Sequence, residues 1–177
     1  MPDTDTVIAF LSMHGHWIPV IVALCAAAET TIFLSIFVPS TVILVGVGGL
    51  VAAGVVGFWP VWLAAFLGAI LGASLSWWIG HHYGDDIMNF KPLRRNPELV
   101  DRVRHTFNKW GDAAIVIGHF LGPLRAIMPV FSGFSGMSYA RFGLFNLIGA
   151  LAWAYIIPKS GELGGNALAW IWQTLGL

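Results

Sequence analysis

The chain has 177 residues, of which 57% are hydrophobic and 10% charged, and its nine Lys and Arg balance nine Asp and Glu to a formal net charge of zero. A soluble domain is about 25% charged, so this composition, with a mean hydropathy of +0.76, excludes an ordinary water-soluble globule and indicates an integral membrane protein. A bilayer core about 30 Å thick takes about 20 helical residues per crossing, so the length allows roughly four to six membrane segments in one all-α domain, residues 1–177, with no soluble enzyme module attached.

Residues 1–80 read as an N-terminal half. The opening MPDTDT has no basic segment and the apolar run behind it is interrupted by His14, His16 and Pro19, so no cleaved signal peptide is expected. Val7 to Ala28 is an imperfect membrane helix with Glu29 at its end. Thr31 to Val56 is apolar but carries Pro39-Ser40-Thr41 near its middle, where proline removes a backbone donor and turns the preceding residue away from helix. A broken or re-entrant first hairpin, about residues 29–56, is the expectation. Pro60 to Gly80 is the cleanest span: Gly68-x-x-x-Gly72 permits close helix approach, and Trp77 and Trp78 suit an interfacial aromatic belt. Cys25, the only cysteine, reads as a small buried hydrophobe.

Residues 81–111 are the extended polar region. Six of the nine basic residues fall here (Lys91, Arg94, Arg95, Arg102, Arg104 and Lys109), and the positive-inside rule makes the loop, residues 85–110, cytoplasmic. Leu99, Val103, Phe107 and Trp110 recur at helical spacing, which predicts a short amphipathic helix on the cytoplasmic leaflet, its basic face attracting anionic headgroups. Residues 112–177 form the C-terminal half. Ala113 to Gly133 is broken at Gly122-Pro123, giving a second hairpin over about residues 113–136. Phe142 to Pro158 is a further span, and Leu163 to Leu177 a last, short one. Paired interrupted segments in corresponding halves are the sequence pointer to a midplane site between inverted repeats, here with the two hairpins opposed.

Arg125 dominates the chemistry. A guanidinium at membrane depth costs at least about 2.5 kcal/mol and does not neutralise, so it must face a partner, water or an anion. Glu29 is the ionisable partner available in the first half. The pair can be a structural clamp, or the site can take phosphate, with Arg125 binding oxygens bidentately and broken-helix N–H groups around Ser40, Thr41, Gly122 and Pro123 adding donors. His119 either titrates near neutral pH or is a neutral ring bonded to a carbonyl freed by the break; Glu29 and His119 are the proton-coupling candidates. His81 with Asp85 and His82 with Asp86 are each four apart, but Gly84 and the position past the membrane favour a fraying helix end over a metal site, and His14 and His16, two apart, lie on different helix faces. No P-loop, nucleophile elbow or HExxH is found. The reading therefore expects no enzyme, no metal and no other cofactor.

Several strings together resemble the DedA family, also called VTT or SNARE-associated membrane proteins. They are Glu29 with Phe37-Val38-Pro39-Ser40-Thr41, Trp78-Ile79-Gly80-His81-His82-Tyr83-Gly84, and Gly118-His119-Phe120-Leu121-Gly122-Pro123-Leu124-Arg125, continued by Pro129, Ser132-Gly133, Gly136-Met137, Phe142, Asn146, Gly149-Ala150 and Trp153. The resemblance covers about residues 25–160. It implies two facing re-entrant hairpins in the bacterial inner membrane and transport of an anionic lipid, a polyprenyl phosphate such as undecaprenyl phosphate or a phospholipid, with coupling to an ion gradient in some members. Nucleic acid is not an expected partner, and self-association is compatible with the reading. Four positions depart from the family pattern: Thr41 stands where many members have a second acid, Ala73 where many have Asp, and His81 and His119 where many have Arg. The alternatives are a non-transporting scaffold held by a Glu29–Arg125 clamp and, ranked last because Glu29 is nearly alone at midplane, a proton-coupled cation antiporter.

Overall fold

The computed structural model describes residues 15–32, 34–35, 40–88, 97–122 and 124–175. The readings at Val7 to His14, Pro39, Lys91, Arg94, Arg95 and Pro123, and those on the side chains of Ser40, Asp85, Asp86 and Leu99, lie outside the described residues. Every described element is helical. A single 3-10 turn, Gly15–Trp17, leads into α1, Ile18–Thr30, where a proline in the first turn costs no hydrogen bond because the first N–H groups of a helix lack acceptors. α2 is Ser40–Ala52. Each has 13 residues and is therefore about 20 Å long, short of a bilayer core.

α3, Phe58–Met88, runs 31 residues with one non-helical residue, Tyr83 (φ −125°, ψ 21°). The kink at Tyr83 means that His81 and His82 close the first, long segment of α3, and a short second segment follows to Met88. α4 is Pro97–Trp110, α5 Ala113–Gly118 and α6 Leu124–Phe134. α7, Tyr139–Leu175, is one helix of 37 residues with Pro158 inside it, where the sequence suggested two spans. An interior proline removes one hydrogen bond and crowds the preceding turn. Here α2 supports the crossing point, since a Cβ on Gly48 would come within 2.8 Å of the Glu162 amide nitrogen and of Gly161. Phe58–Gly84 and Tyr139–Ala167 are long and apolar enough to cross a membrane.

The short helices pack on the long ones in an exchanged pattern. α1 and α6 lie on α3, whereas α2 and α5 lie on α7, and α3 also contacts α7. Small residues set these contacts. A Cβ on Gly68 would sit 2.9 Å from the Ala23 carbonyl carbon, and Gly72 faces Ala27 in the same way, so the Gly68-x-x-x-Gly72 surface receives the α1 backbone directly. The core is Val22, Ala26, Leu44, Val61, Ala65, Ala69, Trp153 and Ala154. Trp77, expected at the interface, is instead buried against Ala73, Ile115 and Phe142, while Trp78 is exposed. The amphipathic helix forms as expected, but Val103 and Phe107 face Leu124, Ile127, Met128 and Phe131 of α6 rather than lipid, and Trp110, on the expected stripe, is exposed.

Candidate functional site

The end of α1 carries Glu29, and its backbone stops hydrogen-bonding as a helix one residue later. The groups freed there are met by Ser76 of α3, which donates to the Thr30 carbonyl (2.8 Å) and accepts from the Ile32 amide (3.2 Å). Thr30 and Ser76 are fully buried, where an unpaired backbone group is costly. This fixes the end of α1 against α3 and so fixes Glu29.

α2 begins beside it. The Thr41 hydroxyl donates to Glu29 Oε1 at 3.1 Å, so the residue that stands in place of an expected second acid neutralises none of the charge but uses one carboxylate oxygen. From the other half, Arg125 Nη1 donates to Glu29 Oε2 at 2.5 Å. The Arg125 side chain is 2% exposed and that of Glu29 16%, so the ion pair is screened little by water. The guanidinium carbon lies 3.5 Å from the ring centroid of Trp153 on α7, a cation–π arrangement that is strongest when desolvated. Arg125 Nε and Nη2 are buried and have no hydrogen-bond partner among the described residues.

The break before Arg125 starts earlier than Gly122-Pro123: α5 already ends at Gly118. Tight turns then carry the chain, with Phe120 N–H bonded to Ile117 O and Leu121 N–H to Gly118 O, and Gly122 takes a φ of +48° that a side chain would strain. The N–H groups of Leu124 and Arg125 donate to Leu121 O and Gly122 O. They are therefore not the free anion donors expected at this helix start, whereas Arg125 Nε and Nη2 are side-chain donors without a partner among the described residues. His119 Nδ1 lies 3.0 Å from the Ile115 carbonyl oxygen, the bonded-ring alternative of the sequence reading. Its ring is buried, and Nε2 has no partner among the described residues.

Glu29, Thr41, His119, Phe120, Gly122, Arg125, Trp153 and Ile157 line one cavity of about 310 Å³, within the range of small-ligand pockets. Five of the sequence-predicted residues are thus brought together; for Ser40 only the backbone, at the start of α2, is described. Trp153 and Ser76 were missed as parts of the site, because tryptophan and serine inside apolar helices carry no pattern that separates a site from packing. Ala73 is buried in a cluster with Trp77, Ile115 and Phe142, and His81 stacks on Trp77 at 5.0 Å; neither lines this cavity. Among the described residues no group of three or more His, Cys, Asp or Glu could hold a metal ion.

The VTT domain family model matches residues 38–163. Inner membrane protein YabI of Escherichia coli K12 is 32% identical over 149 residues, covering 83% of this chain and 58% of the relative. Inner membrane protein YqjA of the same organism is 32% identical over 139 residues, covering 78% and 63%, and an uncharacterized membrane protein of Haemophilus influenzae is 29% identical over 177 residues, covering 94% and 78%. The chain thus spans about three fifths of the length of the two Escherichia coli relatives. No solved structure matches. With the family model over most of its length and two long apolar helices, this chain belongs to the VTT-domain, or DedA, family of multi-pass bacterial inner-membrane proteins.

Proposed function

We propose that the chain moves an anionic lipid phosphate, a polyprenyl phosphate such as undecaprenyl phosphate or a phospholipid, across the inner membrane, and that it does so as a carrier rather than an enzyme. The observation that carries this reading is the guanidinium of Arg125: a buried cation in the wall of a cavity, with two donors that have no partner among the described residues, and held by a carboxylate that an anion can replace. Lipid phosphate supplies the oxygens those donors lack. Trp153 keeps the guanidinium in place while Glu29 is displaced, and Glu29 or His119 is the group available to exchange a proton in an ion-coupled cycle.

The first re-entrant hairpin, expected over about residues 29–56, is moved here to the short helices α1 and α2, Ile18 to Ala52, and is read as opposed to α5/α6, the first entered from outside and the second from the cytoplasm, with residues 85–110 cytoplasmic. The exchanged packing supports an inverted repeat. In each half the first short helix lies on the long helix of its own half and the second on that of the other.

The test is headgroup translocation in proteoliposomes carrying a fluorescent polyprenyl phosphate or phospholipid. Arg125→Ala is expected to abolish it, and unchanged rates with correctly inserted protein would remove Arg125 from the mechanism. A second reading, a non-transporting scaffold, draws on the closeness of the Glu29–Arg125 pair and the additional Thr41 bond. It wins if Glu29→Gln and Arg125→Gln both destabilise the detergent-solubilised protein yet leave lipid movement intact.

A further inference from the structure

His119 contributes to the cavity wall a chemistry opposite to that of Arg125. Its Nδ1 faces the Ile115 carbonyl at 3.0 Å, and a carbonyl oxygen can only accept, so Nδ1 carries the hydrogen. In the neutral ring this makes Nε2 an acceptor, and Nε2 is buried without a partner among the described residues. The ring has little freedom to turn, because it rests on the α7 backbone: a Cβ on Gly149 would meet Nδ1 at 2.6 Å and Cε1 at 3.0 Å. Arg125, lining the same cavity, has only donors to offer at Nε and Nη2. A headgroup that satisfies both residues must bring an oxyanion to the guanidinium and an O–H to the imidazole. A phosphodiester without a hydroxyl meets the first requirement and leaves a desolvated acceptor.

We infer that His119 determines specificity, selecting among anionic lipid phosphates those that carry an O–H beside the oxyanion and accepting that hydrogen at Nε2. The inference rests on the lipid-phosphate reading above. The O–H has two chemical sources, the retained proton of a phosphate monoester and the alcohol of a hydroxylated headgroup. An arginine at this position, as in the family pattern, would put donors where His119 puts an acceptor and remove the selection.

The test is calorimetric binding of three lipids with identical short acyl chains to the full chain in detergent, at pH 6, where about half of a phosphate monoester keeps its second proton. Phosphatidic acid supplies the P–OH, phosphatidylglycerol the alcohol, and phosphatidylmethanol neither. Leaving one buried acceptor unsatisfied corresponds to about tenfold in Kd. One or both of the hydroxyl-bearing lipids is therefore expected to bind about tenfold more tightly than phosphatidylmethanol, and which one does so identifies the source. In His119→Phe, which keeps a ring and removes the acceptor, the ratio is expected to fall to about one; a ratio kept at its original value overturns the inference. Equal binding of all three lipids by the unmodified chain, lost in Arg125→Gln, also overturns it while leaving the phosphate site standing. Failure of the unmodified chain to bind any of the three overturns both. The lipid series needs no variant, so it decides the question even where His119→Phe does not fold.

Discussion

At the scale of single residues, the site is a small set of groups each tied down by a neighbour from another helix. Ser76 is the least conspicuous of them, yet it joins the end of α1 to α3 through both a donated and an accepted bond. Ser76→Ala leaves the buried Ile32 amide without its acceptor, a loss of about 1–3 kcal/mol. The expected result is a lower thermal unfolding midpoint in detergent, with Ser76→Thr recovering part of the loss; an unchanged midpoint in the alanine variant would mean that water reaches the break. Glu29 and Arg125 were legible in the sequence because charge in an apolar context has few explanations. The role of Ser76 was not, since a serine in a membrane helix commonly bonds its own preceding carbonyl, and only the fold shows which backbone it serves. Trp153 was legible as part of the family resemblance but not as a part of the site: its position at the buried centre, under the guanidinium, differs from an interfacial tryptophan in nothing that composition records.

At the scale of elements, the sequence marked where helices break better than where they continue. Glu29 and the proline near residue 40 bracketed the gap between α1 and α2, and glycine with proline located the gap between α5 and α6 to within a few residues. Pro158 misled, because a proline removes one backbone bond but does not dictate the course of a helix whose neighbours hold it, as α2 holds α7. The amphipathic stripe of α4 was readable as a period, but a period does not say whether lipid or protein receives it, and Val103 and Phe107 are received by α6. Glycine contacts make the sharper prediction. Gly72→Val would drive branched carbon into the Ala27 carbonyl and the Thr30 hydroxyl. Separation of α1 from α3 is expected, with accelerated cleavage by added protease near residues 31–35 and loss of the Glu29 contact; Gly46→Val, at a position with open space around it, is the control expected to leave cleavage unchanged.

At the scale of the whole molecule, the helix packing between the two halves is joined, among the described residues, by an ion pair whose partners are 96 residues apart in the chain. Removing either partner leaves the other buried and uncompensated, typically a loss of about 3–5 kcal/mol, whereas removing both removes that penalty. The double variant Glu29→Gln/Arg125→Gln is therefore expected to be no less stable than the worse single variant, and a double-mutant cycle on unfolding midpoints should show strong coupling. Simple additivity would show that the pair does not join the halves energetically. The sequence could suggest this pairing but not its surroundings, because the cavity is assembled from α1, α2, the turn between α5 and α6, α6 itself and α7 together. The turn between α5 and α6 has a consequence at this scale. Phe120 and Gly122 line the Arg125 cavity, while Leu121 and Leu124 line a separate groove of about 620 Å³ shared with Glu98, Asp101, Arg102, His105 and Thr106 of α4. Phe120 and Gly122 thus border one space and Leu121 and Leu124 the other, so a substitution in this short stretch that alters one compartment acts on the boundary of both.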